Sequence, residues 1–348
     1  MPAADEDFTD SQSQGNTQKE GGEVILSASL PDVAPFVALM KAISGLSNTA
    51  SLIFSKAGIQ IEVEYKRALQ ATAYLASSLF DEWFFEPPTL DNEDDTMEPG
   101  SYTTEIEINL GILNEVLSIY GSSGGGSSWR KKGRGDDNED DEDIRGPLDR
   151  FMIPRKAATS MRMSYAGEGY PLRLSLAESA EGPTTVCQIH TLVSERRMEL
   201  TFDDEDKIVK IIMKSTWLRD ALSEIDSSCD YITIICNPPQ KVTRAGKGRE
   251  EAVDDSFFRI EARMQRGSVE MDYPNDREVL EFFECGGPVK FNYSFDVIQR
   301  AVRALSVSVK VSIRIDGDGV MSLQFLMPTE SSGERKTWME FRVILGER

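Results

Sequence analysis

Residues 288–344 contain PVKFNYS (288–294), FDVIQRAVRALS (295–306), VKVSIRI (309–315), VMSLQFL (320–326) and, after a polar break, WMEFRVI (338–344). In the first and the last three of these, apolar and polar residues alternate, as in a strand with one buried face. FDVIQRAVRALS has a different period. Ile298, Ala301, Val302 and Leu305 recur at helical spacing, with Asp296, Arg300 and Arg303 opposite. Gly317 and Gly319 punctuate the hairpin between the second and third strands. The unit is a strand, a short amphipathic helix, then three strands joined by turns.

The same order occurs three more times upstream. The first copy runs ILSASL, a helix over 31–46, SLIFS, GIQIEVEY and LQATAYLA. The second runs YTTEIEI, a helix over 109–120, TSMRMSY, YPLRLSL and TTVCQIH. The third runs KIVKIIM, a helix over 215–226, YITIIC, FFRIEAR and SVEMDY. The apolar stripes are Val33, Phe36, Val37, Met40 and Ile43 in the first helix, with Lys41 off the stripe, and Leu113, Val116, Leu117 and Tyr120 in the second. In the third, Leu218, Ala221, Leu222 and Ile225 face inward, and Thr216, Arg219, Asp220 and Ser223 face out. Agreement is in element order, not residue identity. Two copies per domain predict an α+β protein of two similar domains at 23–191 and 206–348, each with its two helices on one face of antiparallel sheets, joined by a connector at 192–205.

The remaining stretches are too polar to pack. Residues 1–22 read as a disordered acidic tail, and 87–100, 121–158 and 238–255 as inserts in loops. The chain has 348 residues and a net charge of −21, yet seven acids lie in DDNEDDED at 136–143 and five in DNEDDTME at 91–98. The total therefore says little about any one face of the fold. No apolar run approaches the roughly 18 residues of a membrane span, and the polar N-terminus is not a secretory signal. Cys187, Cys229, Cys236 and Cys285 form no CxxC motif and are expected to be reduced.

Catalytic signatures are weak. The acids crowd into low-complexity runs or alternate with Lys and Arg along strands, which does not suit metal-dependent exonuclease chemistry. His190, the single histidine, ends a predicted strand with no nucleophile motif nearby. There is no GxxxxGK[ST] loop, so the chain is not itself an ATP-driven loader. No cofactor or metal is expected, and WRKKGRG at 129–135 reads as a solvated linker.

Local sequence narrows the class. LSIYGSS (117–123), MRMSYAGEGYPLRLSLAE (161–178), TVCQIHTL (185–192), WLRDALSEID (217–226), MDYPND (271–276) and VKVSIRIDGDGVMSLQFLM (309–327) resemble the Rad-one subunit of the heterotrimeric checkpoint sliding clamp, the nine-one-one ring. The resemblance covers about 24–120 and 159–345, and not the tail or the long inserts. It implies a non-catalytic subunit with two different clamp chains as neighbours and double-stranded DNA through the ring. It also implies a dedicated clamp loader, recruited checkpoint and repair proteins, and a nuclear location. A homotrimeric replicative clamp is the alternative within the fold.

In a clamp the helices line the hole, which makes Lys41, Lys214, Arg219, Arg300 and Arg303 candidate phosphate contacts. A groove between connector and last strand would take short hydrophobic peptides, over Leu192, Val193, Met198, Leu200, Phe341 and Val343. Clamp subunits join by edge-strand pairing, expected at 184–190 and 267–273 through Val186, Ile189, Val269 and Met271.

Overall fold

The computed structural model describes residues 24–86, 102–121, 158–178, 182–194, 198–238, 257–265, 267–328 and 337–346. The tail and nearly all of the inserts lie outside the described residues, as does the Tyr120 side chain. The first unit comprises β1 (Leu26–Leu30), α1 (Ala34–Ile43), β2 (Thr49–Ser55), β3 (Gly58–Tyr65) and β4 (Leu69–Ala76). The second comprises β6 (Thr104–Asn109), α2 (Leu110–Gly121), β7 (Ser160–Tyr165), β8 (Leu172–Ala177) and β9 (Thr184–Ile189). In the third are β11 (Lys207–Lys214), α3 (Ser215–Glu224), β12 (Tyr231–Asn237), β13 (Phe257–Met264) and β14 (Gly267–Pro274). The fourth has β16 (Val289–Ser294), β17 (Lys310–Asp316), β18 (Met321–Leu326) and β19 (Thr337–Val343). Its helix, α4, joins Phe295–Ile298 and Val302–Val307 through a 3-10 turn at Gln299–Ala301.

Three short strands were not expected. They are β5 (Glu82–Phe85), β10 (Thr191–Leu192) and β15 (Leu280–Cys285), which flank β1, β6 and β11 respectively. Each follows the last strand of its unit and returns to pair with that unit's first strand. They are edge strands with little alternation, so periodicity does not mark them.

Within each domain the units exchange their first strands. β1 pairs with β7 and β6 with β2, while β11 pairs with β17 and β16 with β12, all antiparallel. The intervening helix makes this possible: ten residues of α1 span about 15 Å, enough to carry the chain between sheets packed about 10 Å apart. The result is a five-stranded sheet β5-β1-β7-β8-β9, a four-stranded sheet β14-β13-β12-β16, and one ten-stranded sheet shared by both domains. The shared sheet is continuous because β4 pairs with β19, from Leu69↔Val343 to Leu75↔Thr337. Tyr74 stacks on Trp338 across this joint with ring centroids 5.8 Å apart.

Among the described residues the predicted stripes are buried, except that Val116 and Val302 are half-buried. Val33, Phe36, Val37, Met40 and Ile43 of α1, Leu218, Ala221 and Leu222 of α3 with Ile225 just beyond it, and Ile298, Ala301 and Leu305 of α4 all enter one apolar core. α2 starts where Asn109 Oδ1 accepts the Ile112 N–H at 3.0 Å, satisfying a first-turn amide.

Candidate functional site

The helices form a row. α2 packs on α1, α1 on α4 across the domain boundary, and α4 on α3. Ionic and aromatic contacts clasp the α1–α4 junction. Arg303 donates to the carbonyl oxygen of Ser44 at the end of α1, where the helix dipole favours a cation. Gly45 follows with φ +86, and a Cβ there would stand 2.6 Å from the Arg303 guanidinium, so only glycine permits this approach. Arg300 lies 4.5 Å from the Tyr65 ring centroid and donates to the Tyr65 hydroxyl at 2.7 Å. Asp296 accepts from Lys66 at 2.8 Å, Tyr65 at 2.9 Å and Arg300 at 3.2 Å.

Lys66 beside Asp296 holds that carboxyl below the ordinary aspartate value, with Tyr65 and Arg300 assisting. The unfolded chain therefore binds this proton first as pH falls. The stabilisation is complete above the ordinary aspartate range (about pH 4) and is lost as pH falls through the lowered value. We expect the acid limb of a thermal-midpoint-versus-pH curve to flatten in Asp296→Asn, with the midpoint lowered near neutral pH and little changed in acid. An acid limb identical to wild type would show that the clasp does not titrate.

Of the five expected phosphate contacts, Lys41 and Lys214 are exposed, and Arg219 is half-exposed and bonded to Asp220 at 2.8 Å. Arg300 and Arg303 are tied to domain one by the clasp. Sequence reasoning placed them opposite the apolar stripe of α4 but missed their partners, because Tyr65 and Ser44 are more than 230 residues away in sequence.

The expected apolar groove is not built as the sequence suggested. Phe341 and Val343 are buried on the core side of β19. The connector crosses the opposite face, over Glu62, Gln70, Thr72, Trp338, Glu340 and Arg342. Successive residues of a strand point to opposite faces, so the odd-numbered positions chosen from β19 were the wrong parity. Leu200 is also buried, its N–H donating to Gln70 Oε1 at 3.0 Å and its carbonyl accepting from Arg342 at 2.8 Å. Leu192 and Val193 (77% exposed) remain open, and Met198 is half-buried.

Under the connector lies a charged network that sequence reading missed. The side chains of Arg314 and Glu340 are 9% and 5% exposed and meet at 2.8 Å. Glu340 also accepts from Ser322 at 2.6 Å and Arg342 at 3.0 Å, while Arg314 pairs with Asp204 at 2.5 Å and stacks on Phe202. Arg314 within VSIRI and Glu340 within MEFRV are charges inside strands, which alternation alone assigns to a solvated face, and the connector covers them.

Both ends of the helical row finish beside a strand with one neighbour. β9 ends the five-stranded sheet next to α2, and β14 ends the four-stranded sheet next to α3. Val186 is exposed on β9, whereas Ile189, expected at the edge, is in the core. Val269 and Met271 are half-buried on β14. The four cysteines are free, and burial pushes the Cys236 thiol far up, leaving it inert. Among the described residues no three His, Cys, Asp or Glu side chains are grouped as metal ligands, and no helix is long and apolar enough to cross a membrane.

Strand-exchanged paired units, one sheet running through both domains, and a single helical row ending at two open strand edges define a sliding-clamp fold. A family described as Repair protein Rad1/Rec1/Rad17 matches residues 25–327. The chain is 30% identical over 313 residues to the human cell cycle checkpoint protein RAD1, covering 90% of this chain and 89% of that one. It is 29% identical to the fission yeast DNA damage checkpoint control protein rad1, over 81% of this chain and 75% of the other. A relative from Mycosarcoma maydis, named DNA repair exonuclease REC1, is 26% identical over 87% and 88% of the two chains. This chain belongs to the Rad1/Rec1/Rad17 family.

Proposed function

We propose that this chain is a non-catalytic subunit of a heterotrimeric, DNA-encircling checkpoint clamp. A dedicated loader places it at damaged or recessed DNA in the nucleus, where it recruits checkpoint and repair factors. One observation carries the reading: of the strands that end a sheet, β9 and β14 stand at opposite ends of the helical row. Chains joined edge to edge there would continue both the sheets and the row, closing a ring with helices inside. The checkpoint names of the human and fission yeast relatives support the same reading. Leu192 and Val193 at the end of β10, and Met198, which lines the same hollow as Trp338, are the apolar positions left for a recruited peptide.

The chain purified alone should elute as a monomer, and with the two other ring subunits of its organism as a 1:1:1 assembly. A homotrimer of this chain alone would overturn the heteromeric reading. Within the ring, Lys41, Lys214 and Arg219 hold DNA through phosphate without reading sequence. Arg300 and Arg303 line the same row, with their guanidinium groups engaged by the clasp. Replacing Lys41 and Lys214 with glutamate should weaken DNA retention and reduce the salt slope by about one unit for each phosphate no longer neutralised. Undiminished retention would return both lysines to the ordinary solvated surface.

A nuclease reading has one point in its favour, the name of the Mycosarcoma maydis relative. That chemistry needs grouped carboxylates to hold metal ions, and the described residues contain no such group. A nuclease activity that co-purifies with the chain and disappears on mutation of specific acids would favour it.

A further inference from the structure

Trp217 is the largest exposed side chain on the four helices, at 44% exposure. Leu222 and Ser223 face α4 across a depression shared with Gln299 and Arg303. At about 100° per residue, Trp217 and Asp220 fall on the opposite flank of α3. The Tyr273 hydroxyl, at the end of β14, donates to the Trp217 carbonyl at 3.4 Å, which seats the first turn of α3 beside that strand. The turn that carries this exposed indole is therefore at the end of the helical row, beside the open strand. Val269 and Met271 are half-buried on the helix-facing side of β14. An unpaired strand edge flanked by an exposed indole fits a partner that brings both a strand and an apolar surface.

Charge narrows the partner. β14 carries Glu270 and Asp272 on its outer face and no base. Arg259, one strand in, reaches Asp272 at 2.5 Å and Glu270 at 3.2 Å, which holds both carboxylates in place beside the edge. This chain's own opposite edge offers no complement. β9 is TTVCQI, without a charge, and the charged residue of α2 is the acid Glu115. The edge strand of a second copy would thus bring no cation to the acidic strand, its nearest being Arg173 one strand in on β8.

We propose that the β14 edge takes the end strand of a different clamp-fold chain, with Trp217 as the apolar anchor and Glu270 and Asp272 facing basic side chains of that strand. This rests on the ring reading above and adds which residue anchors the joint and what chemistry the neighbour presents. Interface energy concentrates in a few well-covered residues, tryptophan prominent among them.

The test titrates the full chain against each of the two other ring subunits of its organism, at low and high salt. Whichever of Val269→Pro and Glu270→Pro leaves the thermal midpoint unchanged identifies which subunit binds through β14. Trp217→Ala should weaken that subunit by about 30-fold or more, equivalent to about 2 kcal/mol, and leave the other subunit's affinity unchanged. Trp217→Phe should recover most of the loss, and an unchanged thermal midpoint separates a weakened joint from a misfolded chain. Glu270→Lys should slow association with the same subunit and flatten its salt dependence. A loss under about threefold in Trp217→Ala overturns the anchor. Binding of a second copy of this chain at β14 overturns the choice of partner. If neither subunit binds the wild-type chain, it is the ring reading itself that fails.

Discussion

Proline in either of these end strands should abolish ring assembly while the monomer remains folded. Val186→Pro on β9 and Val269→Pro on β14 each remove one backbone donor and fix φ near the value proline imposes. β9 and β14 each have a single neighbour within the chain, β8 and β13. Alternate residues of an antiparallel end strand direct their N–H and C=O outward. Paired variants at adjacent positions, Thr185→Pro with Val186→Pro and Val269→Pro with Glu270→Pro, therefore include one that spares the internal ladder. For that member, size-exclusion chromatography with the partner subunits should show complete loss of the trimer, and its thermal midpoint should stay within a few degrees of wild type. Assembly that survives all four substitutions would mean the chain joins its neighbours elsewhere.

Glu340→Ala should lower the unfolding free energy by about 3–5 kcal/mol, the cost of removing one partner from a buried ion pair. The carboxylate is 2.8 Å from Arg314, 3.0 Å from Arg342 and 2.6 Å from the Ser322 hydroxyl. Without it, the Arg314 guanidinium stays under the connector with Asp204, itself largely exposed, as its remaining carboxylate. Because β19 also joins the two domains, the loss falls on the joint as well as on the core. Urea titration checks the size, with Gln324→Ala as control, since that amide is exposed and 3.4 Å from the same carboxylate. A loss below about 1 kcal/mol for Glu340→Ala would mean the network behaves as a solvated surface pair.

Much of the fold was legible because burial on one face of a sheet or helix imposes a local period. VKVSIRI, GIQIEVEY and FDVIQRAVRALS each carry that period within a dozen residues, and each forms the element it signals. The strands β5, β10 and β15 escaped because EWFF, TL and LEFFEC are too short or too irregular in burial to show a period. Phe341 and Val343 were misassigned for a related reason. Alternation separates the two faces of β19, but does not say which of them the connector covers.

The sequence by itself determined the units, their order, the apolar stripes and the family resemblance, all properties of neighbours along the chain. Tertiary structure decided the exchange of first strands, the joining of β4 to β19, and the partners of Arg300, Arg303 and Arg314. A guanidinium carries the same charge whether it meets a phosphate, a helix end or a buried carboxylate. Which of these it meets depends on groups brought near by folding, more than 230 residues away for Arg300 and Arg303. Local periodicity reports burial, whereas pairing at that separation is set by how the buried surfaces stack.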